Sequence, residues 1–148
     1  MPRAITKSQP FSIRLSRSTD LYVTAEARRQ KRSKGAIVEA LTEEAARMRR
    51  FPGIGFRDEG PDRRAWLTGA GLDVWEAVML LRSGSSDEQL VEDYGHLTRA
   101  SLDLARAYYD SYPEEIDELL TENSRPIDEL RVLYPFIHVG TERRGAGS

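Results

Sequence analysis

The chain has no cysteine among its 148 residues. That excludes a disulfide scaffold and any thiolate metal site, and it suits a reducing cytoplasm. Histidine is almost as scarce, with two copies, His96 and His138, far apart in sequence. Neither sits in a Ser-His-Asp order or an HExxH spacing. The glycine-rich FPGIGF stretch lacks the GxxxxGK[ST] pattern of a phosphate loop. No apolar run approaches the ~20 residues of a membrane span. The opening MPRAITKSQP has no apolar core of a signal peptide. The acidic run EEIDELL reads as a solvated helix face, and nothing marks carboxylates that would converge on a metal. Catalysis, a cofactor and a metal are therefore not expected.

What is present is charge, unevenly placed. The composition is 39% hydrophobic and 31% charged, that of a folded globular protein. The net charge of −2 hides a division. Residues 1–50 hold twelve Lys/Arg against five Asp/Glu, a net of +7, and residues 51–148 hold ten against nineteen, a net of −9. Such asymmetry points to two modules with different partners, the first suited to a polyanion. The expected domains are residues 1–50 and 51–148.

In QPFSIRLSRS, residues 9–18, apolar Phe11, Ile13 and Leu15 alternate with polar Ser12 and Arg14, the period of a strand. Ser16 to Thr19 offer N-caps for a helix through STDLYVTAEARRQ, with Val23 and Ala27 on one face. Ser33 opens a second helix, in which Ile37, Leu41, Ala45 and Met48 form an apolar stripe. The lone strand has no partner in the following residues. It can be satisfied by pairing antiparallel with the same strand of a second copy, which turns Phe11, Ile13 and Leu15 onto shared helices and leaves Ser12 and Arg14 outward. About fifty residues with so thin a core should not fold alone, so a homodimer is expected as part of the fold.

The segment FSIRLSRSTDLYVTAEARRQKRSKGAIVEAL resembles a ribbon-helix-helix domain, the class of small bacterial repressors that place a β-ribbon in the DNA major groove. The resemblance covers about residues 9–48. It implies that the outward residues Ser12 and Arg14 read operator bases, with Pro10 standing where the family carries a polar reader. A guanidinium can bond guanine O6 and N7 together, and a serine hydroxyl can donate or accept. The start of the second helix, Ser33, Lys34 and Gly35, offers free N–H groups and a positive dipole end to phosphate, flanked by Arg32. An isolated strand arginine is ordinarily only a solvated side chain. The strand-helix-helix order and the basic balance are what favour a DNA contact for Arg14.

The second module starts with FPGIGFRDEGPD, a helix-breaking stretch. Short strands around GIGFR and RRAWLTG would form a hairpin or wing. GAGLD leads into a helix VWEAVMLLRSG. Ser85 and Glu88 fit a capping box for the next helix. After a turn at Gly95 and His96, a third helix carries Leu97, Leu102, Ala105 and Tyr109. The expected fold is thus mainly α with short β: a ribbon-helix-helix followed by a small helix-turn-helix-like domain with a candidate hairpin wing. The runs LTGAGLDVWEAV, LLRSGSSDEQLVEDYGHLT and ARAYYDSYPEEID resemble the short domains of unknown function found in bacterial antitoxins whose partner is a PIN-like nuclease. This resemblance covers about residues 51–120, with Gly69, Ala70 and Gly71 where Gly-Thr-Arg is usual. The third helix shows Arg99 and Arg106 but also Asp103 and Asp110, and the helix before it carries Asp87, Glu88, Glu92 and Asp93. Those acids repel phosphate, so a protein-binding or dimerising role is expected there rather than DNA contact.

Pro113 and Pro126 each fit the first turn of a helix. Tyr134, Phe136, Ile137 and Val139 follow in YPFIHV, before the tail GTERRGAGS. That run is either a strand of the module's own core or a docking motif. Together the two resemblances imply a VapB-like antitoxin: a dimeric repressor of its own operon that also neutralises a PIN-like ribonuclease toxin, with Tyr134, Phe136 and Ile137 as toxin-binding residues. The alternative is a stand-alone ribbon-helix-helix repressor whose C-terminal domain binds a ligand or dimerises. A nucleoid-associated protein would bind DNA without sequence preference.

Overall fold

The computed structural model describes residues 7–59 and 62–123. The chain divides into two compact units. One is built on residues up to Arg50 with the segment Asp58–Arg63, the other on Phe51–Arg57 and the residues from Arg64 onward. Among the described residues the architecture is mainly helical, with one small antiparallel sheet. No helix among them is long and apolar enough to cross a membrane.

In the first unit, α1 (Arg17–Gln30) begins where Ser16 Oγ accepts the Thr19 N–H at 3.3 Å, and Asp20 adds a carboxylate to the positive first turn. It ends as Lys31 turns left-handed at φ +54° and the Arg32 N–H returns to the Ala27 carbonyl at 3.0 Å. Two residues later α2 (Lys34–Arg50) starts, with Ser33 Oγ accepting the Ala36 N–H at 3.1 Å. The buried core consists of Val23, Ala27 and Ile37, with Leu15, Val38 and Leu41 packed against it. Ala45 and Met48, expected on the same stripe, stay exposed within this chain.

Residues 7–16 form neither helix nor strand in the single chain. The sequence reading makes the Phe11–Leu15 segment a strand only against a second copy, whose backbone would supply its ladder. In the single chain Phe11 is 79% exposed and Ile13 61%. Leu21, Tyr22 and Met48 add further exposed apolar surface to the same unit.

In the second unit, β1 (Ile54–Arg57) pairs antiparallel with β2 (Arg64–Leu67), which pairs with the two-residue β3 (Leu72–Asp73). Gly55 faces Trp66 across the ladder, and a Cβ there would stand 2.7 Å from Trp66 Nε1 and 2.9 Å from Thr68 Cγ2. Among the described residues four helices follow: α3 (Val74–Leu81), α4 (Asp87–Asp93), α5 (Arg99–Ser111) and α6 (Pro113–Asn123). The cap of α4 is Ser86, whose Oγ accepts the Gln89 N–H at 3.2 Å, rather than the expected Ser85. Leu90 of this helix is buried in the core. Thr98 caps α5, and Pro113 occupies the first turn of α6, where its missing N–H costs nothing. α3 packs on α5 and α6. The core runs from Ile54 and Leu67 through Val74 and Leu102 to Tyr108 and Ile116. Buried Tyr108 donates its hydroxyl to Glu115 at 2.8 Å, and Phe51 meets its ring edge-on at 5.5 Å.

Candidate nucleic-acid and partner interfaces

In the first unit, Ser12 and Arg14 lie exposed on the segment ahead of α1, as Pro10 does. Ser33, Lys34 and Gly35 come together at the start of α2. The first N–H groups of a helix have no carbonyl one turn back, and Ser33 takes up that of Ala36. Around Gly35 the nearest atom to an added Cβ would be Ser33 Oγ at 3.9 Å, so the backbone there is open to close approach. Lys34 differs from expectation. Its Nζ is held by Asp20 Oδ1 at 2.6 Å, from the first turn of α1. The sequence reading missed Asp20 as a partner. Its signal, an acid in one first turn and a base in another, becomes meaningful only when the helix pair is built.

That pairing is general in this unit. Each of the five carboxylates of residues 1–50 has a cation: Asp20 with Lys34, Glu26 with Arg29, Glu39 with Lys7, Glu43 with Arg47, and Glu44 with Arg63. Hydrogen bonds from Arg29, then Gln30, hold the Glu26 carboxyl below its ordinary range. Burial pushes that of Glu44 up, against the pull of Arg63. Arg28 and Arg29 end α1, and Arg47, Arg49 and Arg50 end α2, where the negative pole of a helix favours cations. Part of the basic balance is therefore structural. Among the described residues, Arg14 and Arg17 enter no ion pair, so the entry to α1 keeps unneutralised charge.

In the second unit both arginines of the α4–turn–α5 pair are neutralised by carboxylates. Arg106 grips Asp87 through two nitrogens at 2.5 and 2.9 Å, and Arg99 meets Glu88 at 2.7 Å. The Arg106 hydrogen bonds hold the Asp87 carboxyl low, and the Asp87 carboxylate raises Arg106 in turn. Glu88 is lowered by its own backbone N–H at the helix start and then by Arg99. The two cations that could have met a phosphate are turned back on the preceding helix. Along α6, Glu114, Asp117, Glu118, Thr121 and Glu122 border a shallow acidic depression of about 480 Å³. The Tyr109 hydroxyl donates to Asp117 at 2.7 Å, which raises the phenol.

Sequence reasoning also passed over Asp73, 2% exposed at the junction of β3 and α3. It accepts from Arg57 Nε at 2.7 Å and Trp75 Nε1 at 3.1 Å, and Arg64 Nε stands 3.4 Å away. Arg57 also stacks over the Trp66 ring, 4.8 Å from its centre. The signal in the sequence was an Asp ahead of an apolar helix with Glu76 three residues on. Glu76 indeed accepts the Asp73 N–H at 3.1 Å. The cluster's work is to pin sheet to helix. Among the described residues no group of three or more His, Asp or Glu side chains is placed to hold a metal. Tyr134, Phe136 and Ile137 lie outside the described residues.

A family model described as a protein of unknown function, DUF433, matches residues 63–109. The matched span runs from the entry of β2 to Tyr109 in α5. Comparison with curated proteins and with solved structures returns no match.

Proposed function

We propose that the chain is a VapB-like antitoxin working in the cytoplasm. Two copies join through the Phe11–Leu15 segments into a ribbon-helix-helix dimer that binds the operator of its own operon. The observation that carries the first half is the mismatch between core and surface in the first unit. Among its described residues three side chains are buried, while Phe11, Ile13, Leu21, Tyr22 and Met48 are exposed. A unit of this size gains too little from three buried side chains to offset its chain entropy. A second copy covering Phe11 and Ile13 supplies the missing burial. It also leaves Ser12 and Arg14 on the outer face of the ribbon, where Arg14 reads a base. Ser33, Lys34 and Gly35 take a backbone phosphate.

The second half of the reading is that residues 51–148 hold and silence a PIN-like ribonuclease. The internal neutralisation of Arg99 and Arg106 by Glu88 and Asp87 favours a protein partner over DNA for this unit. The acidic α6 face complements the basic rim that an RNA-cutting enzyme presents, and speeds its capture. Tyr134, Phe136 and Ile137 are the proposed anchors of that contact. The test is a pull-down of the tagged full-length chain from its native cells. A PIN-like nuclease recovered in comparable amount supports the reading. Recovery of the chain alone, in dimeric form, favours the stand-alone repressor.

A further inference from the structure

The Lys34–Asp20 pair has a consequence for the strength of DNA binding. We infer that Asp20 is a built-in stand-in for a DNA phosphate, and that it weakens the chain's grip on DNA by competing for Lys34; this rests on the DNA-binding reading of the first unit. Lys34 is the first residue of α2, beside the Ser33 cap and the open Gly35 backbone. Its ammonium is where a phosphate at this helix start would find its cation. Instead the ammonium lies 2.6 Å from Asp20 Oδ1, drawn across to the first turn of α1. Both side chains remain about half exposed, at 53% and 46%. Solvent, and hence a phosphate, can reach the pair without any change in the core. An incoming phosphate therefore gains Lys34 only by parting it from a carboxylate.

The exchange leaves two signatures. Exposed ion pairs of this kind are modest, so releasing Lys34 should tighten DNA binding by roughly twofold to fivefold. The second is in the salt dependence. A cation that trades a carboxylate for a phosphate frees a counterion from DNA, while the abandoned carboxylate recruits one. The net release is smaller than for a free lysine, which contributes about 0.9 to the slope of log K against log salt.

The experiment uses the full-length chain and two duplexes, one carrying the DNA upstream of its own gene and one of the same length and scrambled sequence. Affinity is measured across a salt series for wild type, Asp20→Asn, Lys34→Gln and the double variant. Both positions changed are about half exposed, and circular dichroism melting checks that the fold is kept. The inference expects Asp20→Asn to tighten binding to both duplexes and to steepen the salt slope. It expects the gain to vanish in the Lys34→Gln background. Equal tightening in both backgrounds overturns it, because the effect is then only the loss of a negative charge. Unchanged affinity in Asp20→Asn overturns it too. If the wild-type chain binds neither duplex, the DNA-binding reading itself fails and takes the inference with it.

Discussion

Asp73 is the residue whose loss should cost the second unit most for its size. It is 2% exposed and receives Arg57 Nε at 2.7 Å, Trp75 Nε1 at 3.1 Å, and Arg64 at 3.4 Å. Removing one member of a buried ion pair costs about 3–5 kcal/mol when the remaining charge is stranded. Here the stranding is partial, because the side chains of Arg57 and Arg64 are 37% and 39% exposed and can recover water. A discount to about 2–3 kcal/mol follows. The orphaned Trp75 indole N–H adds about 1 kcal/mol. Asp73→Ala should thus destabilise the unit by about 3–4 kcal/mol. Asp73→Asn keeps the shape and one acceptor, loses the charge, and should cost about half as much. The assay is urea unfolding of the full-length chain followed by tryptophan fluorescence. The chain has two tryptophans, Trp66 and Trp75, and both sit in this unit, so the signal reports on it alone. With a slope of about 1–2 kcal/mol per M, the Ala midpoint should fall by roughly 1.5–4 M. A fall of less than about 0.5 M would refute the claim that this carboxylate pins sheet to helix.

Further expectations concern both units. Ile13→Lys puts a charge where the dimer reading has shared core, so sedimentation should show a monomer or an unfolded first unit; a folded dimer would sink the ribbon. Arg14→Ala should cost about 1–3 kcal/mol on the operator and much less on scrambled DNA, as a base contact does. Lys34→Ala should weaken both DNAs alike and flatten the salt slope, and binding isotherms separate the two cases. Gly55→Ala drives a Cβ to within 2.7 Å of Trp66 Nε1 and should lower the melting temperature of the second unit; calorimetry showing no change would mean that Trp66 swings away freely. The Asp87 carboxyl is depressed below its ordinary value of 3.8 by Arg106, so its contribution is complete above that value and is lost as pH falls through the lower folded one. Melting of the second unit should therefore drop on acidification below about pH 4, and Asp87→Asn should flatten that stretch of the curve.

How far the sequence carries these conclusions depends on the range of each interaction. Helices α1 to α6 were legible because apolar spacing and caps are local, as at Ser16, Ser33 and Thr98. Adjacent serines defeated the same logic at α4: Ser85 and Ser86 are equal as caps in sequence, and the cap hydrogen bond is made by Ser86. β3, two residues long, has no periodicity to read and exists through its pairing with β2. Alternation from Phe11 to Leu15 was plain, but the single chain forms no strand there, and the proposed ribbon would need a second copy to supply its hydrogen bonds. The Asp73 cluster gathers groups from all three strands and α3, and the Asp20–Lys34 pair spans fourteen positions between two helices. Neither has a signature short of the assembled fold. For the DNA reading the consequence is specific, since Lys34 read alone is a free phosphate ligand and Lys34 in the fold already has an acid.

The central claim is that one chain both binds DNA and silences a nuclease, and the second activity is the less accessible from its residues. The decisive measurement is the ribonuclease activity of a PIN-like protein encoded beside this chain's gene, followed as the purified full-length chain is titrated in. The account predicts that RNA cleavage falls in proportion to added chain and stops near stoichiometry. Undiminished cleavage in the presence of excess folded chain would contradict it.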